Sequence, residues 1–105
     1  MDNISIIIPA RNEKLSLGKV LEEIKKYNFI NEIIVVVDNY DDSSIEPAKL
    51  YNCKIIFQKS KGYGSAIKEG FENASNEFGC IFNADYSFDP IYLEKMINKS
   101  KKYKF

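Results

Sequence analysis

The sequence predicts an α/β fold: one domain with a mostly parallel sheet of about four strands and helices on both faces, in the order βαβαβαβα. Two observations carry this. Short β-branched or apolar runs alternate along the chain with stretches whose apolar residues recur at helical spacing. Ile33-Ile34-Val35-Val36-Val37 has no polar residue at all, as expected of a central parallel strand covered on both faces. A length of 105 residues allows a single domain with a modest core.

Ile4 to Ile8 reads as a first buried strand, stopped by Pro9. After the loop Pro9-Ala10-Arg11-Asn12-Glu13, the residues Leu17, Val20, Leu21, Ile24 and Tyr27 mark an amphipathic helix from about Leu15 to Tyr27. The second strand, Ile33 to Val37, ends in the polar loop Asp38 to Ser44. A short helix from about Ile45 to Tyr51 follows, with Ser43 or Ser44 as its cap and Pro47 in its first turn. Lys54-Ile55-Ile56-Phe57 is the third strand. The loop Gln58 to Gly64 opens a third helix, in which Ala66, Ile67, Gly70, Phe71 and Ala74 share a stripe. Gly79 to Phe82 is the fourth strand, and a last helix is expected from Pro90, with Ile91, Leu93, Met96 and Ile97 as its apolar face. The Lys-rich tail from Lys99 to Phe105 is expected to be a frayed basic end.

In this topology every strand ends on the same rim of the sheet, and that rim is where open α/β sheets bind ligands. Glu13, Asp38, Lys61 and Asp85 are therefore expected to converge although they are far apart in sequence. The fourth strand runs into Asn83-Ala84-Asp85-Tyr86-Ser87-Phe88-Asp89-Pro90. If the chain stays extended there, Asn83 and Asp85 point to one side, with Ser87 following. Such oxygen ligands suit magnesium or manganese. The plainer reading of the same residues is a strand-to-helix turn, with Asp89 as N-cap and Pro90 at the first helical position.

Composition excludes several classes. There is no histidine, so histidine acid–base chemistry and histidine metal ligands are out. The formal net charge is zero, which gives no reason to expect nucleic acid as a partner. No apolar run approaches the roughly 20 residues of a membrane span. Cys53 and Cys80 lie in apolar runs and read as buried reduced thiols. The expected location is the cytoplasm, extending to the cytoplasmic face of the membrane if the Lys-rich end meets anionic lipid. The first loop has no glycine, which argues against a dinucleotide-binding fingerprint.

Four segments, in order, resemble family 2 glycosyltransferases of the Rossmann-like GT-A fold: Ile6 to Glu13, Glu32 to Ser43, Lys61 to Gly70, and Asn83 to Pro90. The likeness covers nearly the whole chain and is to the nucleotide-sugar-binding half, most similar to the dolichol- or polyprenyl-phosphate mannosyl- and glucosyltransferases. It implies binding of a UDP- or GDP-hexose with Mg2+ or Mn2+, and hexosyl transfer, with a lipid phosphate as acceptor.

The resemblance places Pro9, Arg11 and Glu13 against base and ribose, Asp38 on the base edge, and Lys61 with Gly62 near the diphosphate. Ala84 and Asp85 also join the nucleotide sugar, and Asp85, Asn83 and Ser87 take the metal. Each residue has a plainer role open to it. Glu13 can be a carboxylate favoured by a helix N-terminus, Arg11 a solvated side chain, Asp38 a turn former, and the glycines can serve positive φ.

Two departures stand out. Asn83 occupies a position that is usually Asp in the family, which keeps an oxygen but removes a charge, and Arg11 occupies one that is often aromatic. Family members also continue well beyond this length, so the chain is expected to lack the acceptor half, and no catalytic base can be named in it. An ionised phosphate acceptor would need little help from a base. The alternative function is a catalytically incomplete nucleotide-binding or regulatory module that assembles with itself or with another chain covering the missing half.

Overall fold

Alternate residues of the first strand face opposite layers, and this sets the architecture. The structure, a computed structural model, describes residues 3–84 and the backbone of residues 103–104. Strand β1 (Ile4–Pro9) is fully buried from Ile4 to Ile8. Ile4, Ile6 and Ile8 pack into one cluster with Leu17, Val20, Leu21 and Ile24 of helix α1 (Lys14–Ile24) and Ala48 of helix α2 (Ile45–Leu50). Ile7 faces the other way, into a cluster with Ala66 of helix α3 (Tyr63–Glu72). Strand β2 (Ile30–Val37) divides likewise, with Ile33, Val35 and Val37 toward α1 and α2, and Ile34 and Val36 toward α3. Helices therefore cover both faces, as the sequence requires. Each fully buried Ile or Val contributes about 1.5–3 kcal/mol relative to an exposed one.

Strand β3 (Lys54–Phe57) pairs parallel with β2, and β4 (Phe78–Ile81) pairs parallel with β1. The order across the sheet is β3-β2-β1-β4-β5, where β5 is Tyr103–Lys104. The chain builds outward from β1 to β3, then crosses back through α3 to the opposite side of β1. That reversal is a topological switch point, beyond which a crevice opens at the carboxyl ends of the strands. The crossing is tight. A Cβ on Gly70 would lie 2.4 Å from Ile7 Cγ2 and 3.2 Å from Val36 Cγ2, so only glycine lets α3 settle on β1 and β2 at this spacing.

Element limits depart from expectation in four places. Strand β2 begins at Ile30, ahead of its all-apolar core, because the register shifts between Ile4 and Ser5 and lets Ile30 pair with Ile4. Helix α1 ends at Ile24, and Tyr27 N–H bonds the Ile24 carbonyl in a tighter turn that tucks the ring against Phe29. Strand β4 starts one residue early at Phe78, although Phe82 N–H still bonds the Ile7 carbonyl. The tail is not simply frayed: Tyr103–Lys104 forms β5, antiparallel to β4, with Lys104 opposite Phe78 and Tyr103 opposite Gly79. An unpaired edge is a template for any extended segment that reaches it. The helix expected from Pro90, with Asp89 as its cap, lies outside the described residues.

Both cysteines are free. Burial pushes the Cys53 thiol up to about 11, with Lys25 opposing slightly. No helix among the described residues is long and apolar enough to cross a membrane.

Candidate functional site

The loops that leave β1, β2, β3 and β4 enclose an open cleft of about 770 Å³ at the switch point. Pro9, Arg11 and Glu13 enter it from the first loop, Asp38 from the second, Lys61 and Gly62 from the third, and Asn83 and Ala84 from the fourth. All the site residues expected from sequence that fall among the described residues thus meet in one place. Asp85 and Ser87 lie outside the described residues.

Local chemistry sets each loop. Pro9 closes β1 while Ala10 N–H still bonds the Val36 carbonyl, so the chain turns away directly over β2. Asn12 then takes a left-handed conformation, φ 52°, which asparagine tolerates better than most residues. Its N–H donates to Asp42 Oδ1 at 2.9 Å, and its own Oδ1 accepts from Ser43 N–H at 3.1 Å. Glu13 N–H donates to Ser44 Oγ at 2.8 Å. These bonds tie the first loop to the second.

Glu13 is the residue before α1, and its Oε2 accepts from Ser16 Oγ at 2.8 Å. The helix-terminal role and the place in the cleft therefore coexist in one side chain. Ser44 sits at the N-terminal boundary of α2, yet it makes no capping bond through its side chain, because its hydroxyl is taken by Glu13 N–H. The capping role expected of Ser43 or Ser44 is corrected accordingly. Asp42 does serve the turn into α2, since its Oδ1 accepts from Ser44 N–H at 2.8 Å.

Arg11 Nε stands 3.9 Å from Asp38 Oδ2; the Arg11 side chain is largely in solvent and that of Asp38 is 39% exposed. An exposed pair at this separation contributes about 0–1 kcal/mol, so stability does not explain it. Asp38 Oδ1 also accepts from Asn39 Nδ2 at 3.3 Å. The expected turn role at this position falls to the neighbour, whose Oδ1 accepts from Asp41 N–H at 3.2 Å. Tyr40 stacks on Phe57 with ring centroids 4.2 Å apart, bracing the second loop against β3.

The third loop is drawn in by Glu69 of α3, whose carboxylate accepts Lys59 N–H at 2.6 Å and Ser60 N–H at 3.1 Å. Those two bonds hold the Glu69 carboxyl below its ordinary value. Gly62, at φ 104°, is the residue before α3 and supplies no side-chain cap. The first N–H groups of this ten-residue helix therefore begin at the cleft, where a helix N-terminus favours negative charge. In the fourth loop, Tyr63 Oη donates to Asn83 Oδ1 at 3.0 Å, joining the start of α3 to the end of β4.

Gln58, Lys59, Ser60, Asn39 and Tyr63 also line the cleft and were not assigned to the site from sequence. They are ordinary loop residues there; only knowing that β2 and β3 lie side by side would have raised them. Among the described residues, no group of three His, Cys, Asp or Glu side chains is placed to hold a metal ion.

Comparison with known proteins gives a consistent picture. The model of the family described as glycosyl transferase family 2 matches residues 5–105. A dolichol-phosphate mannosyltransferase of Pyrococcus furiosus is 32% identical over 105 residues, covering 93% of this chain and 30% of that protein. A dolichyl-phosphate hexose transferase of Haloferax volcanii is 25% identical over 97 residues, covering 92% of this chain and 42% of that protein. The chain thus spans less than half the length of either relative. Among solved structures, the glucosyl-3-phosphoglycerate synthase of Mycobacterium tuberculosis, in complex with Mn2+, UDP and glucosyl-3-phosphoglycerate, superposes with a TM-score of 0.81. Its identity is 16%, over 94% of this chain and 39% of that one, so the likeness speaks for the fold.

Proposed function

The chain belongs to glycosyl transferase family 2, and from that premise we propose that its cleft binds a nucleoside-diphosphate hexose together with a divalent cation, for hexosyl transfer to a polyprenyl phosphate. The observation that carries this is the convergence of Glu13, Asp38, Lys61 and Asn83, from four separate loops, on one cleft at the switch point.

The chemistry divides along the cleft. Asp38 accepts from an N–H on the edge of uracil or guanine. Glu13, with one oxygen held by Ser16, takes ribose hydroxyls with the other. Arg11 lies over the base or forks onto a phosphate. Lys61 and the uncapped start of α3 meet the diphosphate. Among the described residues, the side chains lining the cleft include no histidine or cysteine, and Asn83 offers an oxygen, a donor set that suits Mg2+ or Mn2+. Asn83, Asp85 and Ser87 would hold the cation, with Asp85 as the negative ligand. When bound, the cation offsets charge on the departing nucleoside diphosphate. Support for the acceptor class comes from the relatives named for transfer to dolichol phosphate. An acceptor phosphate is already ionised and calls for no strong base. The site of action in this reading is the cytoplasm or the cytoplasmic membrane face.

Calorimetry with UDP, GDP, UDP-glucose and GDP-mannose, with and without Mn2+, tests the donor reading. One base series is expected to bind, more tightly with the cation. Absence of heat for all four at millimolar ligand overturns it.

A further inference from the structure

We propose that Asn12 and Asp42 form a clip that touches no ligand and sets the first and second loops at the separation needed to grip the nucleoside end of the ligand; this rests on the nucleotide reading of the cleft. Neither residue lines the cleft, yet Arg11 and Glu13, which flank Asn12, do, as do Asp38 and Asn39 earlier in the loop that carries Asp42.

The clip has a definite construction. One oxygen of Asp42 receives two backbone N–H groups, from Asn12 in the first loop at 2.9 Å and from Ser44 in the second at 2.8 Å. Asn12 returns a bond to the second loop through Ser43 N–H. Glu13 N–H then bonds Ser44 Oγ, so both residues on the near side of the turn are anchored. Every one of these bonds joins segments about thirty residues apart or closes the turn that presents them.

Two features would be costly if the clip served no purpose. Asn12 holds a positive φ that most residues avoid. Asp42 is only 4% exposed, and its second carboxylate oxygen is buried with no hydrogen-bond partner among the described residues. A buried unsatisfied oxygen calls for an explanation. A carboxylate oxygen is the acceptor best able to hold two amides at once. Arg11 and Asp38, on the two loops so joined, face each other across 3.9 Å.

The test compares ligands that need both loops with one that does not. Asn12→Gly keeps the backbone freedom at this exposed position and removes only the side-chain bond; Asp42→Ala removes the double acceptor, and Asp42→Asn retains one oxygen for it. Affinities for UDP, GDP and inorganic pyrophosphate are measured by calorimetry on each 105-residue chain, after circular dichroism shows it folded. The expected result is a roughly tenfold loss for the nucleotide in Asn12→Gly and Asp42→Ala, unchanged pyrophosphate affinity, and partial recovery in Asp42→Asn. A purely structural role would weaken both ligands together. Nucleotide affinity in Asn12→Gly equal to that of the unaltered chain overturns the clip, even if Asp42→Ala does not fold. An unaltered chain that binds neither nucleotide overturns the reading of the cleft, and the clip's purpose with it.

Discussion

Gly70 shows how much one residue can decide. Its missing side chain is what allows α3 to lie against Ile7 and Val36, and both neighbours are β-branched and stiff at χ1. Gly70→Ala places a methyl where Ile7 already stands. The expected cost is about 1–3 kcal/mol, read as a lower urea midpoint with an unchanged slope. From sequence Gly70 was visible as a member of the apolar stripe, but not as the contact that sets the spacing, because a stripe gives direction and no distance. Asp38 belongs to the same scale. It contributes little to folding, being exposed and paired only at 3.9 Å. Asp38→Ala is therefore expected to shift the thermal midpoint by no more than about 2–4 °C, since surface changes stay within about 0.5 kcal/mol. It should weaken nucleotide binding by about tenfold or more, the loss of a charge-assisted hydrogen bond. Calorimetry and a melting curve on the same sample check both halves.

Between elements, the rim opposite the cleft is fastened by Glu32. Its Oε1 accepts from Ser5 Oγ at 2.6 Å and from Ser75 N–H at 2.7 Å, while Oε2 accepts from Ser75 Oγ at 3.0 Å and lies 3.7 Å from Lys54 Nζ. This joins β2 to β1 and to the segment after α3. Burial raises the Glu32 pKa, but the hydrogen bonds from Ser5 and Ser75 and the charge of Lys54 outweigh it, leaving it below the ordinary 4.5. A carboxyl depressed on folding stabilises the fold above its unfolded value and loses that stabilisation as pH falls through its folded value. Urea midpoints should therefore decline as pH drops below 4.5. Glu32→Gln should lower the midpoint at neutral pH and flatten that decline. Glu32 appeared in the sequence only as the start of the second segment of the likeness, and nothing local shows that it reaches across to Ser5 and Ser75. The clip between the first two loops was hidden for the same reason: Asn12 and Asp42 look like ordinary turn formers, and their pairing exists only once β1 and β2 are neighbours.

At the scale of the whole molecule, alternation of apolar runs and helical stripes was enough to read a parallel sheet covered on both faces, and with it the rim where the loops converge. The largely apolar run Ile4 to Ile8 and the all-apolar run Ile33 to Val37 made that legible, since parallel strands covered on both faces read as near-continuous apolar runs. What the pattern could not give was the strand order, and so it could not show that β4 lies beside β1 and leaves its edge to Tyr103–Lys104. The central claim is that four loops at the carboxyl ends of the sheet act as one donor site. Amide chemical shifts of the isotope-labelled chain, followed as UDP, GDP or their hexose conjugates are added with Mg2+, test it most directly. The account predicts that Arg11, Glu13, Asp38, Lys61, Gly62 and Asn83 shift together with a single affinity, while Asn31, Glu32 and Lys54 on the far rim stay still. Shifts confined to the far rim, or scattered over the surface with no common affinity, would contradict it.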